Sequence, residues 1–315
     1  MTPIPISRRQ FVAQAALASG AAVLARTAPA TPKGEKRMHL ASNVYPWHTF
    51  YQREGKDFGA SLDDGLREVR AAGFDGYEPI LGAPADVDAL GPLLRKHGLE
   101  MRSFYVNSTL HARAAADATI EQVVAIAARA KTIGARIVVT NPNPIRWGGP
   151  EDKDDRQLAT QADSMNRLGA ELRKLGMTLA YHYHDAEFRQ AAREMHHMLV
   201  GTDPKLVTLC LDAHWTYRGA GNSAVFLFDM LELYAGRVSE LHVRQSAGGV
   251  WTEAFEATGD IDYARLAERL ARERRKPHIV LEQAVEAATP RTLSPVEAHR
   301  RGAEAARRVF APLAP

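Results

Sequence analysis

The sequence predicts one (β/α)8 barrel, an α/β fold in which eight parallel strands alternate with helices. Three observations favour this fold. Apolar runs of strand length alternate with amphipathic runs of helix length along the whole chain, several of these runs end in chemically active side chains, and the 315 residues exceed the roughly 250 that such a barrel needs. A doubly wound open sheet is the alternative, but residues 43–47 lack its glycine-rich first turn.

The predicted elements follow in order, and no stretch indicates a β-hairpin or a linker inside the barrel. Apolar runs predict strands at 39–45, 74–80, 100–106, 135–140, 178–181, 206–212, 238–242 and 278–282. Amphipathic runs predict helices at 63–72, 86–97, 120–133, 155–175, 224–234, 261–275 and 294–310. The first four helices are each followed by a glycine, which is typical of a left-handed helix end. These are Gly73, Gly98, Gly134 and Gly176.

The first thirty residues have the pattern of a twin-arginine export signal. Arg8 and Arg9 precede an alanine-rich apolar run and a small-residue cleavage site near Ala30. That run is shorter than the roughly 20 apolar residues of a membrane span, so we expect no stable membrane anchor. The predicted division of the chain is a signal peptide at 1–30, a linker at 31–37 and the barrel at 38–315. The signal implies the twin-arginine translocase as a partner and a periplasmic location.

The charge of the mature chain argues against a nucleic-acid partner. Residues 1–30 contain Arg8, Arg9 and Arg26 but no acidic residue, so their removal lowers Lys plus Arg from 40 to 37, equal to the 37 acidic residues. A nucleic-acid-binding domain is usually basic. Cys210 is the only cysteine, which excludes a disulfide within the chain.

Potential metal ligands lie at the C-terminal ends of the last four predicted strands: His182, Asp212, His242 and Glu282. A barrel brings all its strand C-termini to one rim, so these groups can converge on one ion. Two imidazoles and two carboxylates suit a divalent Mn, Zn, Co or Fe ion and leave positions open for substrate oxygens. A single histidine at a strand end is usually an ordinary hydrogen-bonded residue, but four ligand types on successive strands favour a metal site.

Other polar and aromatic residues lie near the same strand ends. The candidate acids and bases are Glu282, His184 and Glu78, and the candidate substrate contacts are Trp47, His214, Trp215 and Arg244. For Glu78 a salt bridge at the rim is an equal alternative. His184 and His182 share one side of the strand, so alternation cannot decide which of the two binds the metal.

Taken together, these stretches resemble the xylose isomerase-like barrel superfamily, in particular its sugar phosphate isomerase/epimerase group. The resemblance runs from His39 to the C-terminus and is carried by GFDGYE at 73–78, YHYHDAEF at 181–188, LDAHW at 211–215, GRVSELHV at 236–243, GDIDY at 259–263 and IVLEQ at 279–283. It implies that the metal is bound at the ends of strands five to eight, by the four residues named above.

Two positions depart from the pattern of that group. Its best-known epimerases and isomerases place glutamate where this chain has His182, and a metal-bound imidazole has no free lone pair facing the substrate. Arg244 replaces the lysine of the usual HxKD run, and its guanidinium fork suits paired oxygens. A mechanism with two carboxylate bases is therefore weakened.

The predicted function is a metal-dependent isomerase or epimerase that removes a proton next to a carbonyl of an unphosphorylated sugar. Phosphate is disfavoured because the rim lacks a glycine-rich or basic phosphate cradle. The alternatives are a 3-keto-glycoside lyase that acts by β-elimination, a non-catalytic periplasmic sugar-binding protein, and a nuclease of the same superfamily. The neutral mature chain argues against the nuclease.

Overall fold

Eight parallel strands form a barrel in the computed structural model, which describes residues 38–314. They are β1 Leu40–Asn43, β2 Gly76–Glu78, β3 Ser103–Tyr105, β4 Ile137–Thr140, β5 Thr178–Tyr181, β6 Val207–Asp212, β7 Val238–Val243 and β8 His278–Leu281. Around the sheet the order is β2-β1-β8-β7-β6-β5-β4-β3, and parallel bridges from Gly76 to Glu100 and from Ile80 to Tyr105 join β2 to β3. The predicted barrel is confirmed, whereas the predicted signal and linker lie outside the described residues.

The helices pack around the outside of this barrel. They are α1 Val44–Arg53, α2 Leu62–Ala71, α3 Pro84–His97, α4 Arg113–Lys131, α5 Asp155–Lys174, α6 Arg189–Val200, α7 Ala213–Gly219, α8 Ala224–Tyr234, α9 Tyr263–Arg272 and α10 Pro295–Val309. The four glycines that follow α2 to α5 all have positive φ, between 64° and 105°, which confirms the predicted helix ends. Within residues 38–314 no helix combines the length and apolar character needed to cross a membrane.

The structure differs from the sequence prediction at several places, and α4 begins at Arg113 rather than at residue 120. β1 ends at Asn43 rather than at residue 45, because the Asn43 side chain accepts a hydrogen bond from the Tyr45 amide at 2.7 Å and so begins α1. Helices α6 and α7 were not predicted. The expectation that no hairpin occurs is wrong, because Ser246–Ala247 pairs antiparallel with Val250–Trp251 around two glycines of positive φ.

The interior of the barrel is layered, and this layering positions the predicted ligands. Tyr105, Val139, Ala180 and Cys210 pack together in one layer. Side chains two residues apart on a strand point to the same side. His182 and Asp212 therefore lie above Ala180 and Cys210, in a layer nearer the C-terminal rim.

Candidate metal centre and active site

The four predicted ligands meet in this upper layer. Asp212 and His242 are register partners on β6 and β7. His182 and Glu282 continue β5 and β8, since their amides donate to the carbonyls of the neighbouring strands at 2.9 and 3.0 Å. Asp212, His242 and Glu282 offer ligand atoms within 4.8 Å of one another, and His182, Cys210 and His242 form a second such group that shares His242.

Each of the four predicted ligands has one buried side-chain atom without a hydrogen-bond partner. These atoms are His182 Nδ1, Asp212 Oδ2, His242 Nδ1 and Glu282 Oε2. Glu282 Oε2 lies 3.2 Å from Arg244 Nη2 and 3.4 Å from His242 Nδ1 as ion pairs, but without hydrogen-bond geometry. An unsatisfied buried polar group costs about 1–3 kcal/mol. Two nitrogens and two oxygens in one layer are the donor set that a divalent cation satisfies, so the residues present fit a metal ion.

A buried carboxylate orients His242 toward this layer. Glu78 Oε1 lies 2.9 Å from His242 Nε2, and the Glu78 carboxylate also accepts hydrogen bonds from Asn43 and Ser103. Glu240 is the second carboxyl group near Nε2, at 3.3 Å. A proton donated from Nε2 to a carboxylate leaves Nδ1 to face a metal, which is the usual arrangement behind a metal-binding histidine.

The electrostatics of the layer also favour a cation. Burial, followed by the charge of Glu282, raises the pKa of Asp212 to about 7. Burial lowers the pKa of His242, but Cys210 and then Glu78 raise it, and the net pKa is well above the usual value. The protein alone thus holds a proton on His242 among buried carboxyl groups. A metal ion would replace that proton, as metal binding to histidine generally does.

A cavity of about 330 Å³ lies above the ligand layer. Its size falls within the roughly 300–1,000 Å³ range of small-molecule sites. One part of its lining is polar and includes His182, His184, Arg244 and Glu282, and the other part is largely apolar and includes Tyr45, Ile80, Tyr105 and Trp147. A larger cavity of about 640 Å³ lies between the hairpin and α10, but none of the four predicted ligands lines it. The smaller cavity is therefore the candidate active site.

His184 is held in one tautomer at the wall of this cavity. Its Nδ1 lies 2.5 Å from Asn141 Oδ1, while Asn141 Nδ2 donates to Glu187 Oε1 at 3.1 Å. Because the Asn141 oxygen can only accept, Nδ1 carries the proton and Nε2 keeps a lone pair. Burial is the main reason that the pKa of His184 falls to about 4, so the ring is neutral near pH 7. A neutral ring with a free lone pair can accept a proton.

The other predicted site residues divide into two groups. Trp215 and Arg244 line the cavity, and the Arg244 guanidinium carbon lies 5.4 Å from the Trp215 ring centroid. Glu78, Trp47 and His214 do not line it. Glu78 lies below the ligand layer with its carboxylate hydrogen-bonded, which does not suit the expected role of acid or base.

Trp47 and His214 are buried away from the cavity, against the expectation that they contact substrate. α1 turns Trp47 into the core, where its ring stacks on His299 at a centroid distance of 3.9 Å and its Nε1 donates to Ser42. His214 packs edge-on against Trp251 at 5.9 Å. An aromatic residue next to a strand end can thus face the core instead of the rim.

Sequence reasoning missed several groups that position the site. Asn43 supports Glu78, and Asn141 with Glu187 orients His184. Cys210 and Glu240 form the layer beneath the predicted ligands. Asn43 is the last residue of β1 and Asn141 directly follows β4, and a polar residue at a strand end is the same signal that identified the metal ligands.

Comparison with known proteins identifies the family of the fold. Residues 66–309 match the xylose isomerase-like TIM barrel family. The structure is also similar to that of a sugar phosphate isomerase/epimerase from Parabacteroides distasonis, with a TM-score of 0.67 and 16% sequence identity over 90% of this chain and 98% of that one. At this identity the structural likeness shows the fold alone.

Inosose dehydratases are similar to this chain in sequence. An inosose dehydratase of Clostridium perfringens is 26% identical over 190 residues, which cover 57% of this chain and 62% of that protein. An inosose dehydratase of Mesomycoplasma hyopneumoniae is 25% identical over 261 residues, which cover 75% of this chain and 85% of that protein. The first alignment therefore spans less than two thirds of its relative.

Proposed function

The chain belongs to the xylose isomerase-like TIM barrel family, and we propose that it is a divalent-metal-dependent enzyme that removes a proton next to a carbonyl of an unphosphorylated sugar. The observation that carries the proposal is the ligand layer. Four residues at the ends of β5 to β8 each have one buried atom without a hydrogen-bond partner, and the layer adjoins a cavity of small-molecule size.

His182, Asp212, His242 and Glu282 would hold the ion, which we take to be Mn, Zn, Co or Fe. Of the two histidines that follow β5, we take His182 as the ligand because its ligand atom lies within 4.8 Å of one of His242, whereas no such group within residues 38–314 includes His184. When bound, the ion would act as a Lewis acid on a carbonyl and its neighbouring hydroxyl, which lowers the free-energy cost of removing the proton between them.

His184 and Glu282 are the groups at the cavity wall that can receive this proton. When the C–H bond breaks, its electron pair forms a C=C bond, the π pair of the carbonyl moves to its oxygen, and an enediol(ate) results. Return of a proton to the opposite face of the same carbon gives an epimer, and its return to the adjacent carbon gives an isomer. Glu78 serves as a positioning residue in this scheme, because it holds His242 rather than contacting the cavity.

The charges of the cavity favour a neutral sugar over a sugar phosphate. Among the residues of 38–314 that line it, Arg244 alone carries a permanent positive charge, and Arg244 already pairs with Glu282. A phosphate dianion is usually bound by several unpaired cations or backbone amides at a helix start. The predicted export signal agrees with this substrate class, since we propose that the protein acts in the periplasm.

A lyase on the same site is the second candidate, and the similarity to inosose dehydratases favours it. A dehydratase that acts on a cyclic polyhydroxy ketone eliminates a hydroxyl group β to the carbonyl, which begins with removal of the α proton. A 3-keto-glycoside would lose its glycosidic oxygen in the same way. A non-catalytic periplasmic sugar-binding protein is the third candidate, and the metal measurement below tests it.

Two measurements test the proposal. Plasma mass spectrometry of protein purified without chelator should give one equivalent of metal for wild type and none for His242→Ala, while the control His196→Ala on α6 keeps its metal. Proton NMR in D2O with inosose as probe should then show exchange of the α proton only with metal-loaded protein. A wild-type protein that stays metal-free when Mn²⁺ and Zn²⁺ are supplied would contradict the proposal and would favour the non-catalytic sugar-binding protein instead.

A further inference from the structure

A second cavity adjoins the candidate active site. It measures about 380 Å³ and lies between the loop that follows β4 and the loop that follows β5. Trp147 and His184 line both cavities, and their rings meet edge-on with centroids 5.5 Å apart. The indole and imidazole rings therefore form the boundary between the two cavities. Trp147 is also 52% exposed, so one of its surfaces is free for contact with a ligand.

The wall of the second cavity is polar, and its two guanidinium groups are paired with carboxylates. Arg146 Nη2 lies 2.7 Å from Glu151 Oε1, and Arg189 Nε lies 3.1 Å from Asp152 Oδ1. Because each guanidinium faces a carboxylate, the wall offers no unpaired cation for a phosphate or another anion. The same groups retain N–H donors and oxygen acceptors in a cavity that an indole ring also lines. A neutral polyol, with hydroxyl groups around an apolar ring face, matches this surface.

Each cavity is near the lower end of the size range for a site that holds one small ligand. A monosaccharide in the first cavity has no group that extends past Trp147 into the second. A ligand that used both would have two compact polar parts joined by a short link near Trp147 and His184. A disaccharide or another glycoside with a sugar-like second part has this form.

We propose that the site takes a glycoside of two rings, with the reacting ring in the first cavity and the second ring in the cavity lined by Arg146, Arg189 and Trp147. The oxygen that joins the rings would lie beside His184. This inference rests on the proposed function and names its substrate class. It also makes the second cavity the place where affinity for a second ring is determined.

Calorimetric titration of Mn²⁺-supplemented protein with cellobiose and with methyl β-glucoside tests the inference. We expect cellobiose to bind about tenfold more tightly, through contacts of its second ring with Trp147 and Arg189. Ala186→Phe would fill the second cavity and Arg189→Ala would remove a polar group from its wall. Both variants should lose the tighter binding of cellobiose and keep the wild-type affinity for methyl β-glucoside.

Arg193→Ala is the matched control. Like Arg189, which donates to Gly149 O, Arg193 lies on α6 and donates to the backbone of the loop after β4, at Lys153 O. Arg193 does not line the cavity, so this variant should keep the tighter binding of cellobiose. Equal affinity of the wild type for the two sugars would overturn the proposal of a two-ring substrate, and so would an equal loss of affinity for both sugars in Ala186→Phe. Either result would leave the proposed metal chemistry intact. Absence of binding by either sugar would overturn the two-ring substrate and the sugar assignment together, while metal content and proton exchange would still report on the metal site.

Discussion

The two buried glutamates beside His242 offer a sharp test of how the metal centre is built. Glu78 and Glu240 both approach His242 Nε2, at 2.9 and 3.3 Å, and both are fully buried. Their charge states differ. Burial raises the pKa of Glu78, but His242 and the hydrogen bond from Ser103 lower it, so its net pKa lies below the usual value. Burial and the neighbouring Glu78 hold the pKa of Glu240 well above the usual range.

Glu78→Gln should therefore weaken metal binding, and Glu240→Gln should not. Replacing Glu78 removes the negative charge that orients and polarises His242, and loss of such a supporting group typically lowers metal affinity about 10–100-fold. That corresponds to about 1.4–2.7 kcal/mol of binding free energy. Replacing the neutral Glu240 carboxyl by an amide of the same size leaves the charge unchanged, and we expect a change of less than about threefold.

Competition of a fluorescent chelator against each purified protein for Zn²⁺ measures these affinities directly. Circular dichroism and urea unfolding check that both variants remain folded, because Glu78→Gln also disturbs the hydrogen bonds from Asn43 and Ser103, at a cost of about 1–3 kcal/mol. Equal losses of affinity in the two variants would show that the charge states are assigned wrongly. Full affinity in Glu78→Gln would refute the role of Glu78 behind His242.

The remaining predictions concern the base, the core, acid stability and export. His184→Gln should keep its metal but lose proton exchange with inosose, measured by NMR in D2O; exchange at the wild-type rate would exclude His184 as the base. Trp47→Phe should lose about 1 kcal/mol of unfolding free energy in urea and leave sugar affinity unchanged, since Trp47 lies in the core. Burial lowers the pKa of His299 to about 4, against about 6.5 in the unfolded chain. Between these two pH values the unfolded state binds more protons than the folded state. The free energy of unfolding should therefore fall as the pH drops from about 6.5 to 4, by up to about 1.4 kcal/mol per pH unit. His299→Phe should remove that part of the pH dependence, and an unchanged profile would contradict it. Replacing Arg8 and Arg9 by lysine should retain the protein in the cytoplasm, as cell fractionation would show; export of the variant would refute the twin-arginine signal.

The barrel could be predicted because its signals are local and repeat. Each strand is an apolar run, and the glycines after α2 to α5 have the left-handed conformation that no other residue adopts as easily. α1 could not be predicted from the same signals. The residues after Asn43 look like the end of a strand, and only the hydrogen bond from the Tyr45 amide to the Asn43 side chain shows that a helix begins there.

The ligand layer could be predicted for a similar reason, because a parallel barrel brings its strand ends together whatever their separation in the chain. The direction of a side chain beside the rim depends instead on tertiary packing. Trp47 and Trp147 both follow strand ends, yet one is 0% and the other 52% exposed. α1 carries Trp47 into the core against His299, whereas Trp147 lies on a loop, and no local pattern in the sequence separates the two cases.

His182 has a consequence for the stereochemistry of the proposed reaction. With a glutamate at this position, two carboxylates on different strands could each exchange a proton with one face of the substrate, which suits epimerisation. His182 would use Nδ1 for the metal, so it adds no carboxylate base of this kind. The proton-accepting groups that remain at the cavity wall are His184 and Glu282. Asn141 and Glu187 fix the tautomer of His184, so its Nε2 is the atom that can accept a proton. His184 lies at the boundary with the second cavity. An acceptor at that boundary favours chemistry in which a group leaves toward the second cavity, and this arrangement shifts the balance from epimerase toward lyase.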